Sequence, residues 1–322
     1  MRYVRLGKTD LEVSAIAFGT WAFGGEWGTF DEDEARHAVH RALDLGITLF
    51  DTAQGYGFGR AEQLLGAALR ASTHRNEALV ATKGGLRRDG DELVRDASPT
   101  WLREGVDASL RSLGVEAIDL YQVHWPDLHT PAEDTAAVLE DLVREGKIRH
   151  VGVSNYDAKQ MDELATYGRV ESDQAPYHLF RRDIETEILP YAAEHDIGIL
   201  VYGPLAHGLL SGRMTPDTSF APDDWRGHSA DFTGTTFEQN LRVVDQLRAF
   251  AGDKGVSLPS LAVAWALSHP VVDVAIVGSR RAAHLDDPVA AADVELTDVD
   301  RAEIDRILGQ AVPVHGPSPE GM

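Results

Sequence analysis

The chain has 322 residues, of which 43% are hydrophobic and 25% charged, which excludes disordered and fibrous classes and allows one large α/β barrel or two medium domains. The formal net charge of −22 argues against nucleic acids and anionic membrane surfaces as partners, because both require a basic face. The absence of cysteine excludes disulfides, zinc–thiolate sites and a cysteine nucleophile.

Strands and helices alternate along the chain behind an N-terminal hairpin, which is predicted over residues 2–13. Apolar runs predict eight strands, at 13–18, 47–50, 78–82, 120–123, 149–153, 170–173, 197–201 and 274–277. Capping residues, first-turn prolines and stop glycines predict helices at 31–46, 61–69, 98–114, 130–146, 158–167, 184–195, 237–251 and 259–268, with a last helix from Thr297. A polar loop is predicted between Lys83 and Ser98, and a Gly- and Pro-rich loop at 203–235.

This alternation predicts a parallel (β/α)8 barrel, a TIM barrel, in a single domain over residues 1–322. The hairpin and the long loop after strand 7 account for much of the length beyond the roughly 250 residues of such barrels. A doubly wound sheet is the alternative, but it requires a Gly-x-Gly-x-x-Gly motif after an early strand. Gly55, Gly57 and Gly59 do not have that spacing.

The sequence carries no signal for export or membrane insertion. No apolar run approaches the roughly 18 residues of a membrane-spanning helix. Residues 1–5 lack the apolar core of a signal peptide. We therefore expect a cytoplasmic protein.

Polar residues stand at strand ends in the first half of the chain. Asp51, Lys83 and His124 each follow an apolar run, and Tyr56 follows Asp51 in a glycine-rich loop. Taken singly, each has an ordinary interpretation as a cap, a solvated lysine, a core histidine or an exposed ring. Together they indicate a site, because the carboxyl ends of barrel strands converge on one face.

These residue types fit proton transfer to a carbonyl oxygen. A tyrosine, with an ordinary pKa near 10, serves as a proton donor at neutral pH only if a nearby cation favours its anion. Lys83 can supply that cation, and Asp51 can hold Lys83 in an ion pair. Tyr56 is then the expected general acid, and His124 can donate a hydrogen bond to the same oxygen.

Two other chemistries find no support. Ser154 lies in Gly-Val-Ser-Asn-Tyr, which fails the Gly-x-Ser-x-Gly pattern of a serine nucleophile at its last position. His37 and His40 have i, i+3 spacing, but they lie on an acidic amphipathic helix, where surface positions are more typical than metal ligation. We expect no metal site.

Further motifs occur in order along the chain. They are Gly19-Thr20-Trp21, Phe50-Asp51-Thr52-Ala53 with Tyr56-Gly57, Ala81-Thr82-Lys83, 119–125 (DLYQVHW), 146–149 (GKIR) with 152–155 (GVSN), Gln174, Pro204-Leu205 with 208–212 (GLLSG), and Gly278-Ser279-Arg280. With these motifs the chain resembles the aldo-keto reductases over nearly its whole length.

The resemblance implies a barrel that binds NADPH and reduces aldehydes or ketones to alcohols by hydride transfer. It implies a catalytic tetrad of Asp51, Tyr56, Lys83 and His124. It also implies that Ser154, Asn155 and Gln174 hold the nicotinamide carboxamide, that Tyr202 stacks on the ring, that 203–213 covers the pyrophosphate and that Ser279 and Arg280 bind the 2′-phosphate. The implied cofactor-binding residues are Gly19, Thr20, Trp21, Asp51, Ser154, Asn155, Gln174, Tyr202, Gly203, Pro204, Leu205, Gly208, Leu210, Gly212, Arg213, Gly278, Ser279, Arg280 and Asp287.

The chain departs from the family pattern at three places. Val277 replaces a usual proline and Gly203 a usual serine, and both changes look tolerable. An acid or amide followed by asparagine contacts adenine in the family, whereas here Asp287 is followed by Pro288. Since proline has no side-chain amide, we expect weaker cofactor affinity or a weaker NADPH preference.

The substrate pocket is predicted from aromatic residues near the strand ends, namely Trp21, Tyr56, Phe58, His124 and Trp125, with Trp27 and Trp225 as further candidates. Such rings favour an apolar or aromatic carbonyl compound, although aromatic residues at a barrel mouth also pack loops. Trp101 and Trp265 lie on predicted helices and are expected in the core.

A nucleotide-binding regulatory subunit, resembling the potassium-channel β subunits of the same superfamily, is the alternative function. That role would call for an exposed apolar patch or a tail that docks a partner, and the sequence shows neither clearly. The complete chemical set favours the enzyme.

Overall fold

The computed structural model describes residues 1–318 except Glu26, Asp91 and Asp223. Its strands are β1 (Tyr3–Arg5), β2 (Glu12–Ser14), β3 (Ile16–Gly19), β4 (Leu49–Asp51), β5 (Leu79–Gly84), β6 (Leu86–Asp89), β7 (Glu92–Arg95), β8 (Ile118–Val123), β9 (Ile148–Ser154), β10 (Ser172–Pro176), β11 (Gly198–Tyr202) and β12 (Val272–Gly278). Its helices are α1 (Glu32–Asp44), α2 (Arg60–Ala71), α3 (Pro99–Leu113), α4 (Ala132–Arg144), α5 (Ala158–Ala165), α6 (Ile188–Glu194), α7 (Gly234–Asp253), α8 (Leu258–Leu267), α9 (Asp286–Val289) and α10 (Asp298–Leu308).

Eight parallel strands close into a barrel in the order β3-β4-β5-β8-β9-β10-β11-β12, with β12 paired to β3. The remaining strands form two antiparallel hairpins, β1-β2 and β6-β7. The predicted (β/α)8 barrel, with its N-terminal hairpin and its long loop after the seventh strand, is confirmed.

The N-terminal hairpin closes the barrel at the amino ends of the strands. Leu6, Leu11 and Val13 are buried in one cluster with inward-facing barrel residues such as Leu49 and Leu120. At Gly7, with φ of 47°, an added Cβ would lie 2.2 Å from the backbone nitrogen of Gly198, so only glycine allows this close approach. With that end filled, the opposite end is left for a site.

Three predicted elements differ from those observed. The strand predicted at 13–18 is divided, because Ser14 belongs to β2 and its hydroxyl donates to the Ile16 carbonyl at 2.7 Å across the break. The helix predicted at 184–195 is a single turn at 183–185 followed by α6. Pro190 explains the division, because proline is tolerated only in the first turn of a helix and α6 begins two residues before it.

The third difference is the polar loop predicted between Lys83 and Ser98, which forms the hairpin β6-β7. Gly90 follows Asp89, the last residue of β6, with φ of 62°, a left-handed conformation that glycine adopts readily. The indole nitrogen of Trp101 donates to the Leu86 carbonyl at 3.1 Å and ties this hairpin to α3.

Trp265 is buried and stacks on Tyr177 with ring centroids 4.8 Å apart, whereas Trp101 is only half-buried. Among the described residues, no helix combines the length and the apolar character needed to cross a bilayer.

Candidate active site

A buried ion pair lies at the carboxyl end of the barrel. Asp51 is the last residue of β4, and Lys83 lies on the neighbouring strand β5. The Lys83 ammonium donates to both Asp51 carboxylate oxygens at 2.8 Å and to the Thr52 carbonyl at 2.9 Å. Lys83 is 0% exposed and Asp51 3% exposed. The pair therefore acts in a medium of low dielectric constant, where its field is strong.

Burial lowers the pKa of Lys83, and the negative charge of Asp51 opposes that change. A further contact holds the carboxylate, since the Gln174 side-chain amide on β10 donates to Asp51 Oδ1 at 2.7 Å. The cation and its counter-ion are thus fixed by three barrel strands.

Tyr56 reaches this pair from the loop after β4. The Lys83 ammonium donates to the Tyr56 hydroxyl at 3.4 Å and lies 5.2 Å from the centroid of its ring. Gly57, with φ of 59°, lets the loop pass close to another segment, because an added Cβ would lie 2.5 Å from the Gly24 carbonyl oxygen. The phenol is therefore held between the cation and the open cleft that Tyr56 lines.

His124 follows β8 and presents its ring edge-on to Tyr56, with centroids 5.6 Å apart at an interplanar angle of 80°. Burial, and then the positive charge of Lys83, holds the pKa of His124 well below its usual range, so the imidazole is neutral. Its Nδ1 has no hydrogen-bond partner within the part of the chain that the structure describes. A neutral imidazole still has one N–H to donate.

A second buried carboxylate lies on the opposite face of β5. Glu62 of α2 is fully buried, and the Thr82 hydroxyl donates to its Oε1 at 2.6 Å. Burial raises the pKa of Glu62, against the lowering effect of its hydrogen bonds and of Lys83. Sequence reasoning missed this residue, although a glutamate beside the buried positions Ala61 and Leu65 of an amphipathic helix was a visible signal.

Residues predicted to bind the nicotinamide, from the ends of three strands, meet beside the ion pair. The Ser154 hydroxyl donates to the Gln174 carbonyl at 2.9 Å, and the Asn155 side-chain amide donates to Ser154 Oγ at 3.0 Å. The Tyr202 hydroxyl donates to Asn155 Oδ1 at 2.8 Å, and burial raises the pKa of Tyr202 to about 12. Asn155 has φ of 61°, a left-handed conformation that asparagine tolerates better than most residues. These hydrogen bonds hold the four residues in fixed positions along one wall of the site.

One cleft of about 1320 Å³ connects these residues to the end of β12. Most of the predicted cofactor-binding residues line it, namely Gly19, Trp21, Asp51, Ser154, Asn155, Gln174, Tyr202, Gly203, Pro204, Leu205, Gly208, Arg213, Gly278, Ser279, Arg280 and Asp287. Thr20, Leu210 and Gly212 do not, and Thr20 instead donates its hydroxyl to the Asp51 carbonyl at 3.2 Å. Lys83 lies beneath the floor of the cleft.

Four of the predicted substrate-pocket residues line the cleft: Trp21, Tyr56, His124 and Trp125. Phe58 does not line it. Its ring is exposed outside the cleft, and the Arg88 guanidinium lies 4.7 Å from its centroid. Trp21 stacks on Tyr56 with centroids 6.4 Å apart.

The cleft ends in a cluster of cations after β12. Arg281 is 3.4 Å from the Glu34 carboxylate, and Arg213 contacts the His284 ring. Arg280 donates to the backbone carbonyl of Trp27 at 2.9 Å. Burial, and then Arg213 and Arg281, lowers the pKa of His284. Sequence reasoning missed His284, because it lies beyond the motif and joins the cluster only through the fold.

Trp225, in the long loop after β11, packs with Trp21 and Trp27 in an aromatic cluster along one side of the cleft. Trp21 and Trp27 meet edge to face at 5.0 Å, and Trp225 lies 5.9 Å from Trp27. The Arg226 guanidinium is 4.6 Å from the Trp27 ring and 2.6 Å from the Asp224 carboxylate. Of the two further pocket candidates, Trp27 lines the cleft, whereas Trp225 does not and packs against Trp27. Within the described ranges, no three His, Asp or Glu side chains are arranged to hold a metal ion.

Comparisons with known proteins agree with this architecture. The model of the aldo/keto reductase family matches residues 15–308. The aldo-keto reductase YhdN of Bacillus subtilis is 40% identical, over 97% of this chain and 95% of its own length. The NADH-specific methylglyoxal reductase of Escherichia coli is 34% identical, over 97% and 99%.

Further relatives differ in their named roles. A protein of Arabidopsis thaliana named "Probable voltage-gated potassium channel subunit beta" is 32% identical, over 91% of this chain and 92% of its own. The solved structure of a glycerol dehydrogenase from Gluconobacter oxydans superposes with a TM-score of 0.89 at 40% identity, over 98% of both chains. Since the family model and these relatives match nearly the whole chain, the protein belongs to the aldo/keto reductase family of oxidoreductases.

Proposed function

We propose that the protein is an NADPH-dependent carbonyl reductase that converts an aldehyde or ketone to the alcohol, with Tyr56 as the general acid. The observation that carries this proposal is the sequence of contacts from Asp51 through the Lys83 ammonium, at 2.8 Å, to the Tyr56 hydroxyl, at 3.4 Å. A tyrosine that faces a cleft and is backed by a buried cation suits proton donation to an oxygen that becomes an alkoxide.

When bound, NADPH would supply the hydride for the carbonyl carbon. The Tyr56 hydroxyl would donate its proton to the carbonyl oxygen as that oxygen gains negative charge, which completes the alcohol. The Lys83 ammonium stabilises the phenolate left behind, and Asp51 keeps the ammonium charged and in place. Neutral His124 donates a hydrogen bond that orients the carbonyl oxygen.

The residues of the cleft fit a nicotinamide dinucleotide. The cavity exceeds the roughly 300–1,000 Å³ of ordinary small-molecule sites, so it has room for a dinucleotide and a small substrate. Ser154, Asn155 and Gln174 would hold the carboxamide, and Tyr202 would lie against the ring. At the other end, Arg213, Arg280 and Arg281 would bind phosphate, since guanidinium groups pair well with phosphate oxygens.

The preference for NADPH over NADH is the finer part of the proposal. Clustered arginines in a chain of net charge −22 support binding of the additional 2′-phosphate. Two observations weigh on the other side: Arg280 already donates to backbone carbonyls, and Pro288 lines the cleft where an amide would help bind adenine. The Escherichia coli relative, by its name, is NADH-specific.

The regulatory alternative gains nothing from the Arabidopsis relative, because that protein belongs to the same family and its likeness does not separate the two functions. The tetrad geometry supports the enzyme, acting on a small carbonyl compound in the cytoplasm.

The test is the loss of reduced-nucleotide absorbance with NADPH and NADH in parallel, against aliphatic and aromatic aldehydes, for wild type and Tyr56→Phe. We expect NADPH-dependent turnover that falls by about 10³-fold in the variant, since general acids contribute roughly 10²–10⁴-fold. Nucleotide affinity, measured by fluorescence quenching, should stay within about twofold. Tight nucleotide binding without turnover of any aldehyde would instead support the regulatory role.

A further inference from the structure

The hairpin β6-β7 directs one face toward the catalytic loops. Leu86 pairs with Arg95 and Arg88 with Leu93, so these four side chains share a face of the antiparallel pair. The Arg88 guanidinium lies 4.7 Å from the ring of Phe58. The shared face is therefore the one that meets the barrel.

The same face joins the two loops that carry the proton donor and the histidine. Phe58, beneath Arg88, is two residues after Tyr56. The Arg95 guanidinium lies 4.9 Å from the ring of Trp125, the residue after His124, and donates to the Pro126 carbonyl at 3.3 Å. These contacts tie the hairpin to both loops, so it has a defined position over the mouth of the cleft.

The two leucines of that face line the cleft where the reaction is proposed. Leu86 is buried, and a Cβ built on Gly55 would lie 3.4 Å from Leu86 Cδ1 and 3.8 Å from His124 Nδ1. Leu93 is half-buried and also lines the cleft. Together with Trp21 and Trp125, they give the space beside His124 an apolar wall.

We propose that Leu86 and Leu93 of this hairpin select the substrate, and that they favour carbonyl compounds with an unbranched apolar substituent of several carbons over small polar carbonyls. This inference rests on the proposed carbonyl reduction. Burying one methylene group against such a wall favours binding about fourfold, which is the fold-change that corresponds to about 0.8 kcal/mol. Glyceraldehyde and methylglyoxal, which lack such a chain, gain nothing from the leucines.

The test measures kcat/KM for propanal, butanal, pentanal, hexanal and glyceraldehyde in wild type, Leu93→Ala and Leu128→Ala. Leu128 is the matched control, since it is 79% exposed and does not line the cleft. We expect kcat/KM to rise about fourfold per methylene in wild type and in Leu128→Ala. Leu93→Ala should lose about tenfold on hexanal and under twofold on propanal and glyceraldehyde, mostly through KM.

A binding measurement separates this inference from the proposed function. The affinity of butanol, pentanol and hexanol for the protein with oxidised nucleotide is read from tryptophan fluorescence, which needs no turnover. If chain-length dependence appears in binding and falls in Leu93→Ala while no aldehyde is reduced, only the reductase proposal fails. Equal responses of Leu93→Ala and Leu128→Ala in both assays would overturn the role of the hairpin.

A second variant covers the case in which Leu93→Ala does not fold, as judged by circular dichroism. Leu93→Gln keeps the side-chain length but makes the wall polar, so it should lower the preference for hexanal over glyceraldehyde by about tenfold or more. An unchanged preference in this variant would also overturn the inference.

Discussion

The two ends of the cleft hold charge in opposite ways. At the proposed catalytic end, Lys83 is fully buried and its ammonium contacts three oxygen atoms within 2.9 Å. At the cationic end, the Arg281 side chain is 66% exposed and lies 3.4 Å from the carboxylate of Glu34. The Lys83–Asp51 pair is thus shielded from water, whereas the Arg281–Glu34 pair is solvated.

The extent of burial determines how much each ion pair contributes to the free energy of unfolding. Removing one partner of a buried pair costs about 3–5 kcal/mol, because the other charge is left uncompensated. An exposed pair contributes about 0–1 kcal/mol, and salt screens it. A proton donor needs a fixed field, whereas a cofactor that enters and leaves needs charges that it can reach. We therefore expect large, salt-independent effects at the buried end and small, salt-sensitive effects at the exposed end.

The largest effect is expected for Lys83→Met. The variant leaves Asp51 buried without its cation, so the free energy of unfolding at pH 7 should fall by about 3–5 kcal/mol. Turnover should fall by about 10²-fold or more, because the phenolate of Tyr56 loses its counter-charge. Urea denaturation and the absorbance assay measure the two losses.

A double variant tests the cause of that instability. Adding Asp51→Asn to Lys83→Met removes the uncompensated charge, so part of the lost stability should return while turnover stays low. If the double variant is as unstable as the sum of both single variants, the ion pair is not the source of the effect.

A smaller effect is expected for Arg281→Ala at the cationic end. The dissociation constant of NADPH should rise by about tenfold, and that of NADH by less than about twofold, because only NADPH carries the 2′-phosphate and a charged hydrogen bond contributes about 1.5–3 kcal/mol. Half-molar salt should reduce the difference.

Arg306→Ala is the matched control for this variant. Its side chain is also 66% exposed and pairs with a glutamate, Glu303, but it does not line the cleft. Equal weakening of NADPH and NADH in Arg281→Ala would remove this arginine from the proposed phosphate site.

Part of the candidate site could be predicted from the sequence alone. Asp51, Lys83 and His124 are visible because each ends an apolar run, and the barrel brings strand ends together. No comparable rule predicts in which direction a side chain on a loop points. Phe58 was predicted in the pocket, but its ring lies under Arg88 of a hairpin that the sequence suggested only as a polar loop.

The sequence also does not show which residues that lie far apart in the chain come into contact. The contact between Arg213 and His284 joins loops after two different strands, and neither residue has a local pattern that indicates the other. Glu62 lies on the buried face of an amphipathic helix, so periodicity could have predicted its burial, but no local pattern indicates that its partner is Thr82 on β5. Fold and strand-end residues follow from local pattern, whereas partners that the fold selects do not.

The smallest effect is expected for Glu62→Gln. Glu62 shares the burial of Asp51 but receives a hydroxyl, Thr82, instead of an ammonium. Its pKa is raised in the folded protein, so ionisation is easier in the unfolded chain, and its contribution to stability falls as pH rises from the ordinary carboxyl value near 4.3 through the raised folded value. Glutamine has no proton to lose and can still accept from Thr82. The unfolding free energy of Glu62→Gln relative to wild type should therefore increase between pH 4 and pH 8, with turnover changed by less than about threefold.

Urea midpoints across that pH range measure this difference in unfolding free energy, with Glu104→Gln, at an exposed position on α3, as the control. Parallel curves for wild type and Glu62→Gln would mean that Glu62 has the same pKa in the folded and the unfolded chain, and would contradict the effect of burial.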